Sequence, residues 1–263
     1  MTKADSSNFI ERERLMYEII GSISLSDAPI IFKGALITKL VLSENKFKAI
    51  SRQTVDIDAN WTSEPPRADY LVDIVNKALV NVSVDLYAKL IREYGDKKSA
   101  GIVIVDKRTD YPVVEMDISI NKVQESKIYT YDELTIKGVL PSEILADKVS
   151  VLSTSKIFRR AKDIVDVYAL THCVEVSTTE IYASHERNAR VLGDFTEFSN
   201  RTKDLNHAYQ KLRGIDNKPE FEIIYQHVSK FVRPFMFEHK MNKIWIPENS
   251  EWNDNITQKS PEG

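Results

Sequence analysis

The sequence predicts an α+β chain: a mixed sheet with flanking helices, followed by a helical C-terminal part. Three observations predict it. Pro112–Ile120 alternates, with Val114, Met116, Ile118 and Ile120 on one face and Glu115, Asp117 and Ser119 on the other, the period-two pattern of a half-buried strand. The apolar run Ile30-Ile31-Phe32 passes through Lys33-Gly34 into a helical stretch carrying Leu36, Ile37, Leu40, Val41 and Leu42. From Pro141 onward the patterning turns almost wholly helical.

The remaining elements follow in chain order. Phe9, Leu15, Met16, Ile19 and Ile20 among Glu and Arg make residues 9–25 an amphipathic helix, and Ser24 to Pro29 reads as a turn. Ser51 to Ala59 reads as one strand. Pro65-Pro66 breaks the chain, and Arg67 to Tyr94 carries a long helical periodicity through Leu71, Ile74, Val75, Ala78 and Leu79. Gly101–Val105 is a second strand, with Arg108-Thr109-Asp110 turning into the third. The break at Gly138–Pro141 sets a boundary between a first domain (1–138) and a helical second domain (139–246). Ser142 is the expected N-cap of the first helix there. Residues 178–240 read as about three helices, and 247–263 as a polar, mobile tail.

Composition narrows the function classes. The chain has 263 residues, 42% hydrophobic and 29% charged, with a net charge of -3. That is ordinary globular composition and excludes a generally basic nucleic-acid binder, although 36 Lys and Arg can still cluster. The single Cys173 excludes an internal disulfide framework and a cysteine zinc cluster. No apolar run has the length of a membrane span, and Met1 to Asn8 has no hydrophobic signal core. A soluble, cytoplasmic protein without a membrane partner is expected.

The chemistry centres on Asp56-Ile57-Asp58. Strand alternation points both carboxylates one way and Ile57 the other. Two same-face carboxylates repel unless a cation neutralises them, and magnesium binds through such pairs together with substrate phosphates. Asp117, on the polar face of its strand, is the candidate third acid, with Glu115 on the same face as its competitor. Three converging carboxylates on a metal pair would build a phosphoryl-transfer site. Lys33-Gly34-Ala35 opens a helix, where backbone N–H groups can cradle phosphate and Gly permits close approach. Arg52 can pair with an acid or with a nucleotide phosphate. Each signal has an ordinary reading too: an acidic strand end, a strand-to-helix turn, an exposed arginine.

A second cluster lies further along. Lys148 sits on the helix opening at Pro141, and Arg159-Arg160-Ala161-Lys162-Asp163-Ile164-Val165-Asp166 follows. At helical spacing Ile157, Ala161, Ile164, Val165 and Tyr168 form a buried stripe. Arg159, Asp163 and Asp166 fall on the opposite face, with Arg160 at its edge. That face is either solvated and laced with pairs such as Arg159–Asp163, or functional. In the functional reading Lys148 and Arg160 bind triphosphate, and Asp163 orients one of them or serves as a base. The histidines 172, 185, 207, 227 and 239 show no metal spacing. Trp61 suits either base stacking or the core.

Four ordered pieces carry a resemblance: Lys33-Gly34; Arg52-Gln53-Thr54-Val55-Asp56-Ile57-Asp58; Leu145-Ala146-Asp147-Lys148; and Arg160-Ala161-Lys162-Asp163-Ile164-Val165-Asp166. Over roughly Ile30 to Leu170 the chain resembles the AbiEii/AbiGii nucleotidyltransferase toxin family, within the polymerase-beta-like nucleotidyltransferase superfamily. The resemblance implies a nucleotidyltransferase sheet, a helical C-terminal domain, and a nucleotide and magnesium site. Asp56, Asp58, Lys148 and Asp163 would be catalytic, with metal on Asp56, Asp58 and Asp117. Lys33, Gly34, Arg52, Lys148 and Arg160 would hold nucleotide. It implies transfer of a nucleoside monophosphate from an NTP, in some members onto tRNA. A toxin role in a toxin–antitoxin or phage-defence pair, with a separately encoded antitoxin, goes with it. The chain departs from the family pattern at Ala35, where a hydroxyl residue or a second glycine is usual, and in a longer stretch between Gly34 and Asp56. Gly21-Ser22 matches the motif by letters but stands too far upstream. Two other readings stay open: a nucleotide- or antitoxin-binding protein with a degraded site, and a small-molecule, antibiotic-modifying nucleotidyltransferase.

Overall fold

The structure, a computed structural model, describes residues 3–95, 99–120, 122–154, 156–237 and 240–255. The chain begins with α1 (Lys3–Ser24), β1 (Ile30–Lys33), α2 (Gly34–Glu44), β2 (Ser51–Arg52), β3 (Asp56–Trp61) and α3 (Ala68–Leu79). Five strands follow: β4 (Leu86–Arg92), β5 (Ser99–Asp106), β6 (Tyr111–Ser119), β7 (Ser126–Tyr131) and β8 (Leu134–Val139). Then come α4 (Pro141–Leu152), α5 (Ala161–Thr171), β9 (Val176–Ser177), α6 (Thr178–Arg187), α7 (Thr196–Asn200) and α8 (Thr202–Lys211). The chain closes on β10 (Ile215–Asp216), α9 (Phe221–Val232), β11 (Lys243–Ile246) and β12 (Glu251–Asp254). Residues up to Val41 form one compact unit with Gln53–Leu140, and Leu42–Arg52 joins the chain from Pro141 onward in a second. Among the described residues no helix is long and apolar enough to cross a membrane.

The first unit is a seven-stranded mixed sheet in the order β4-β5-β6-β3-β1-β8-β7. The expected α+β architecture is present. β3 runs parallel to β6 and β1 parallel to β8, while β1 and β3 are antiparallel. On β6, Val114, Met116 and Ile118 are buried as their alternation predicts. β5 is buried along nearly its whole length, which explains its continuous Gly-Ile-Val-Ile-Val run. α1 packs on α3 and β8 with Met16, Ile19, Ile20 and Ile23 fully buried. Gly21-Ser22 lies inside α1, where the Ser22 hydroxyl donates to the Ala78 carbonyl at 2.8 Å, so it is a helix-packing pair.

Several elements differ from the sequence expectation. The helix expected over Arg67–Tyr94 ends at Leu79, where the i, i+3, i+4 pattern stops; Asn81–Asp85 turns, and β4 follows with Leu86 and Ala88 buried at period two. The strand expected over Ser51–Ala59 is two: β2 pairs with β10, and only β3 enters the large sheet. The hairpin β7–β8 went unpredicted because only Tyr129, Ile136, Gly138 and Val139 in it are buried, too few to print a period. Pro141 itself takes the first helical position of α4, a place that suits its missing N–H, so Ser142 lies inside the helix rather than capping it.

The second unit packs α4 against α5 and α6, and α5 against α8 and α9. Glu143 is fully buried yet satisfied, paired with Arg187 and accepting from the Ser184 hydroxyl at 2.5 Å. The segment after Pro247 is not wholly a tail: β12 pairs with β11, setting Trp252 opposite Trp245, whose indole is fully buried and donates to the Thr171 carbonyl at 2.7 Å. The rest of the expected tail, from 256 on, lies outside the described residues, as does His239.

His227 shares a 2.7 Å hydrogen bond with the Thr171 hydroxyl and stacks on His172 with centroids 4.1 Å apart. Burial, then the charges of His172 and Lys230, pushes its pKa down to about 3. A histidine held neutral in the fold but protonated when unfolded withdraws stability as pH falls. Thermal unfolding is therefore expected to show a stability loss beginning near the ordinary histidine value and continuing down towards pH 3, and His227→Gln is expected to flatten that part of the profile.

Candidate active site

The polar face of the first unit's sheet collects most of the expected residues. Register places Asp56 opposite Glu115 and Asp58 opposite Asp117, with Lys33 across from Asp58 on the other side. Opposed residues share a face, so Lys33, Asp56, Asp58, Glu115 and Asp117 all stand on one side, while Ile57 and Ala59 are buried on the other. Lys33 donates to Asn60 Oδ1 at 2.6 Å and to Ser119 Oγ at 2.9 Å, and Asn60 is itself fully buried and bonded to Gln124. These polar residues fix the floor beside the acids.

Gly34 shows why the turn before α2 belongs to this face. Its φ is +70°, and a Cβ there would overlap a carboxylate oxygen of Asp58 while lying 3.1 Å from Asp58 Cβ and Cγ. Only glycine allows both the left-handed backbone and the close approach. The long chain between Gly34 and Asp56 therefore does not separate them, because antiparallel pairing of β1 and β3 brings the helix start back against the second aspartate. The hydroxyl missing at position 35 is not replaced by Thr38, whose Oγ1 is buried and donates to the Gly34 carbonyl at 3.0 Å. Gly34→Ala is expected to cost about 1–2 kcal/mol of stability from the left-handed backbone alone. It should also displace Asp58, so any activity resting on this face should fall roughly a hundredfold, read by unfolding and label transfer side by side.

Two partners of the acids were invisible in the sequence. Asp56 accepts from the Thr54 hydroxyl at 2.7 Å, and Asp117 is ion-paired with Arg92 on β4, two strands away. Among the described residues no three His, Cys, Asp or Glu side chains form a ready metal cage. The donor chemistry still fits magnesium, which takes one or two carboxylates and completes its shell with water and phosphate. Asp56 and Asp58 would be those two, and Asp117 would have to exchange Arg92 for a metal. Trp61 is in the core, its indole donating to the Glu64 carbonyl at 2.8 Å.

The second cluster is organised inside the second unit. Asp166 is not on a solvated face: it is 3% exposed and accepts from Arg52 Nε and Nη2 at 2.9 and 3.0 Å. Lys148 lies 2.7 Å from Asp163 and 2.8 Å from Asp166. Burial pushes the Asp166 pKa up, but the charges of Lys148 and Arg52 outweigh it and hold the carboxyl below its ordinary value. Burial would likewise lower Lys148, and the charges of Asp166 and Asp163 raise it instead. Arg159 lies exposed in the short 3-10 turn Ile157–Arg159 before α5, and the Arg159–Asp163 pair does not form; Arg160, part-buried, reaches Asp163 at 3.8 Å instead. The cluster can hold one carboxylate ionised and present Arg160 to an anion.

Solved structures with partial likeness include MenT4, a nucleotidyltransferase toxin from Mycobacterium tuberculosis H37Rv, at 12% identity over 74% of this chain and 72% of that one, TM-score 0.45. An antigenic nucleotidyltransferase-like protein from Paracoccidioides brasiliensis aligns at 13% identity over 76% of this chain and 93% of that one, TM-score 0.45. No curated protein matches the sequence. The family profile of the nucleotidyl transferase AbiEii toxins of type IV toxin–antitoxin systems matches residues 14–241, and the chain belongs to that family.

Proposed function

We propose that the chain is a magnesium-dependent toxin that transfers a nucleoside monophosphate from an NTP to tRNA, restrained by a separately encoded antitoxin in a phage-defence setting. The observation that carries this reading is the contact of the Gly34 turn with Asp58, which joins a phosphate-cradling helix start to a two-carboxylate strand. In the reaction an acceptor hydroxyl attacks the α-phosphorus, the bond to the bridging oxygen breaks, and pyrophosphate leaves with the electron pair. Asp56 and Asp58 would hold the magnesium, with Asp117 as third acid. The ion would supply charge for the phosphates and lower the cost of ionising the attacking hydroxyl.

The protein's own groups do the rest. The N–H groups at the start of α2 bind phosphate, and Lys33, tied to Asn60 and Ser119, adds fixed positive charge on the same face. In the second unit Arg160 presents a cation to an anion. Lys148 holds Asp163 at 2.7 Å, where the carboxylate can orient Arg160 or take a proton, while Arg52 locks Asp166. Incubation of the protein with each labelled NTP, magnesium and total tRNA tests the reading. Label is expected in tRNA with one NTP and none after chelation. Binding of NTP with no label in tRNA, protein or small molecule would overturn it in favour of a degraded nucleotide-binding protein.

A further inference from the structure

We propose that a cavity in the second unit binds an unpaired nucleotide of the RNA acceptor, with the base against Trp252 and its phosphate held by Lys230 and Arg233. The cavity, about 540 Å³, lies among α9, the turn after it and the β11–β12 hairpin; Phe237, Lys243 and Glu251 also line it. That volume suits a nucleotide-sized guest.

Its charge selects an anion. Lys243 is neutralised by Asp254 at 2.9 Å, but neither Lys230 nor Arg233 forms an ion pair with any described residue. Glu251, itself exposed, is the one lining carboxylate. Two uncompensated cations against one carboxylate leave the cavity positive.

Its aromatic wall selects a flat ring. Trp252 is half-buried and pinned: its indole donates to the Phe231 carbonyl at 2.9 Å, stacks on Phe231 at 5.2 Å, and meets Trp245 and Phe235 edge-on. A ring fixed in this way offers a stacking surface without ordering cost. Phe237, 46% exposed, adds apolar area beside it. A bare anion would leave the aromatic wall unused, and an apolar peptide would leave two cations unpaired. A nucleotide satisfies both, by the combination of stacking and phosphate contact through which proteins bind single strands. The choice of RNA as its source rests on the tRNA reading above; the choice of a nucleotide does not.

Tryptophan fluorescence of the whole chain, titrated with a single-stranded RNA dodecamer and separately with 5′-AMP, tests the site. RNA is expected to quench, more tightly than AMP, and Lys230→Glu with Arg233→Glu is expected to weaken RNA at least tenfold at unchanged melting temperature. Trp252→Phe should remove most of the quench and report which indole is stacked. Equal affinity for AMP and RNA would assign the cavity to free nucleotides and overturn the acceptor role. No quench, or a quench indifferent to the double charge reversal or to Trp252→Phe, would overturn the site. Label transfer to tRNA without quenching would sink this inference alone, and quenching without transfer would sink the catalytic reading alone.

Discussion

Asp58→Asn is expected to lower nucleotidyl transfer about a thousandfold or more, equivalent to roughly 4 kcal/mol of barrier, while leaving the fold intact. The amide keeps the shape that packs against Gly34, removes the charge and turns one acceptor oxygen into a donor. On this face Asp58 has Asp117, already paired with Arg92, opposite it on one side and Lys33 on the other, and directly opposed charges of either sign are worth a few tenths of a kcal/mol to about 1 kcal/mol. Removing one of them should therefore move stability by no more than about 1 kcal/mol. A loss of transfer without a loss of stability is the signature of a group kept for chemistry. Transfer within tenfold of the parent protein would remove Asp58 from the metal site. A fall in melting temperature matching the fall in activity would make it structural instead.

How much of this was legible in the sequence depends on the range over which each feature is set. Strand alternation is local, so the shared face of Asp56 and Asp58 could be read directly, as could the Ile30–Gly34 strand-to-helix turn. The contact between Gly34 and Asp58 could not, because it arises from β1–β3 pairing, and nothing in the intervening residues announces that pairing. The Arg92 partner of Asp117 was hidden for a further reason: the helical pattern of α3 carried the expectation past Leu79 and covered β4. In the second unit periodicity placed Ile164 and Val165 correctly in the core but put Asp166 on a solvated face. Its burial depends on Arg52, 114 residues earlier in the chain, which leaves the strand of the two aspartates to join the second unit. The order of the motifs identified the family, while the partners of its charges needed the structure.

Asp166→Ala is expected to destabilise the protein by about 3–5 kcal/mol, because it removes the carboxylate that a buried guanidinium and a buried ammonium share. Arg52 loses both of its bonds to the carboxylate while remaining only 13% exposed, and Lys148 is left with Asp163 alone. Replacing Arg52 as well, by Met, should recover part of the loss, since the desolvated charge goes with its partner; a double-mutant cycle should show a coupling of about 1–3 kcal/mol. The same network predicts a stability plateau in pH. Asp166 titrates below its ordinary value in the fold, so its contribution is full above about pH 4 and is lost as pH falls through the folded value. Lys148 titrates above its ordinary value, so its contribution is full below about pH 10 and is lost as pH rises through the folded value. Urea unfolding of the parent protein and of Asp166→Ala across this range checks both arms: the difference between them should be largest on the plateau and shrink in acid. An unchanged urea midpoint for Asp166→Ala at neutral pH would mean that water already satisfies Arg52, and the cluster would then be free to serve an anionic substrate instead of the fold.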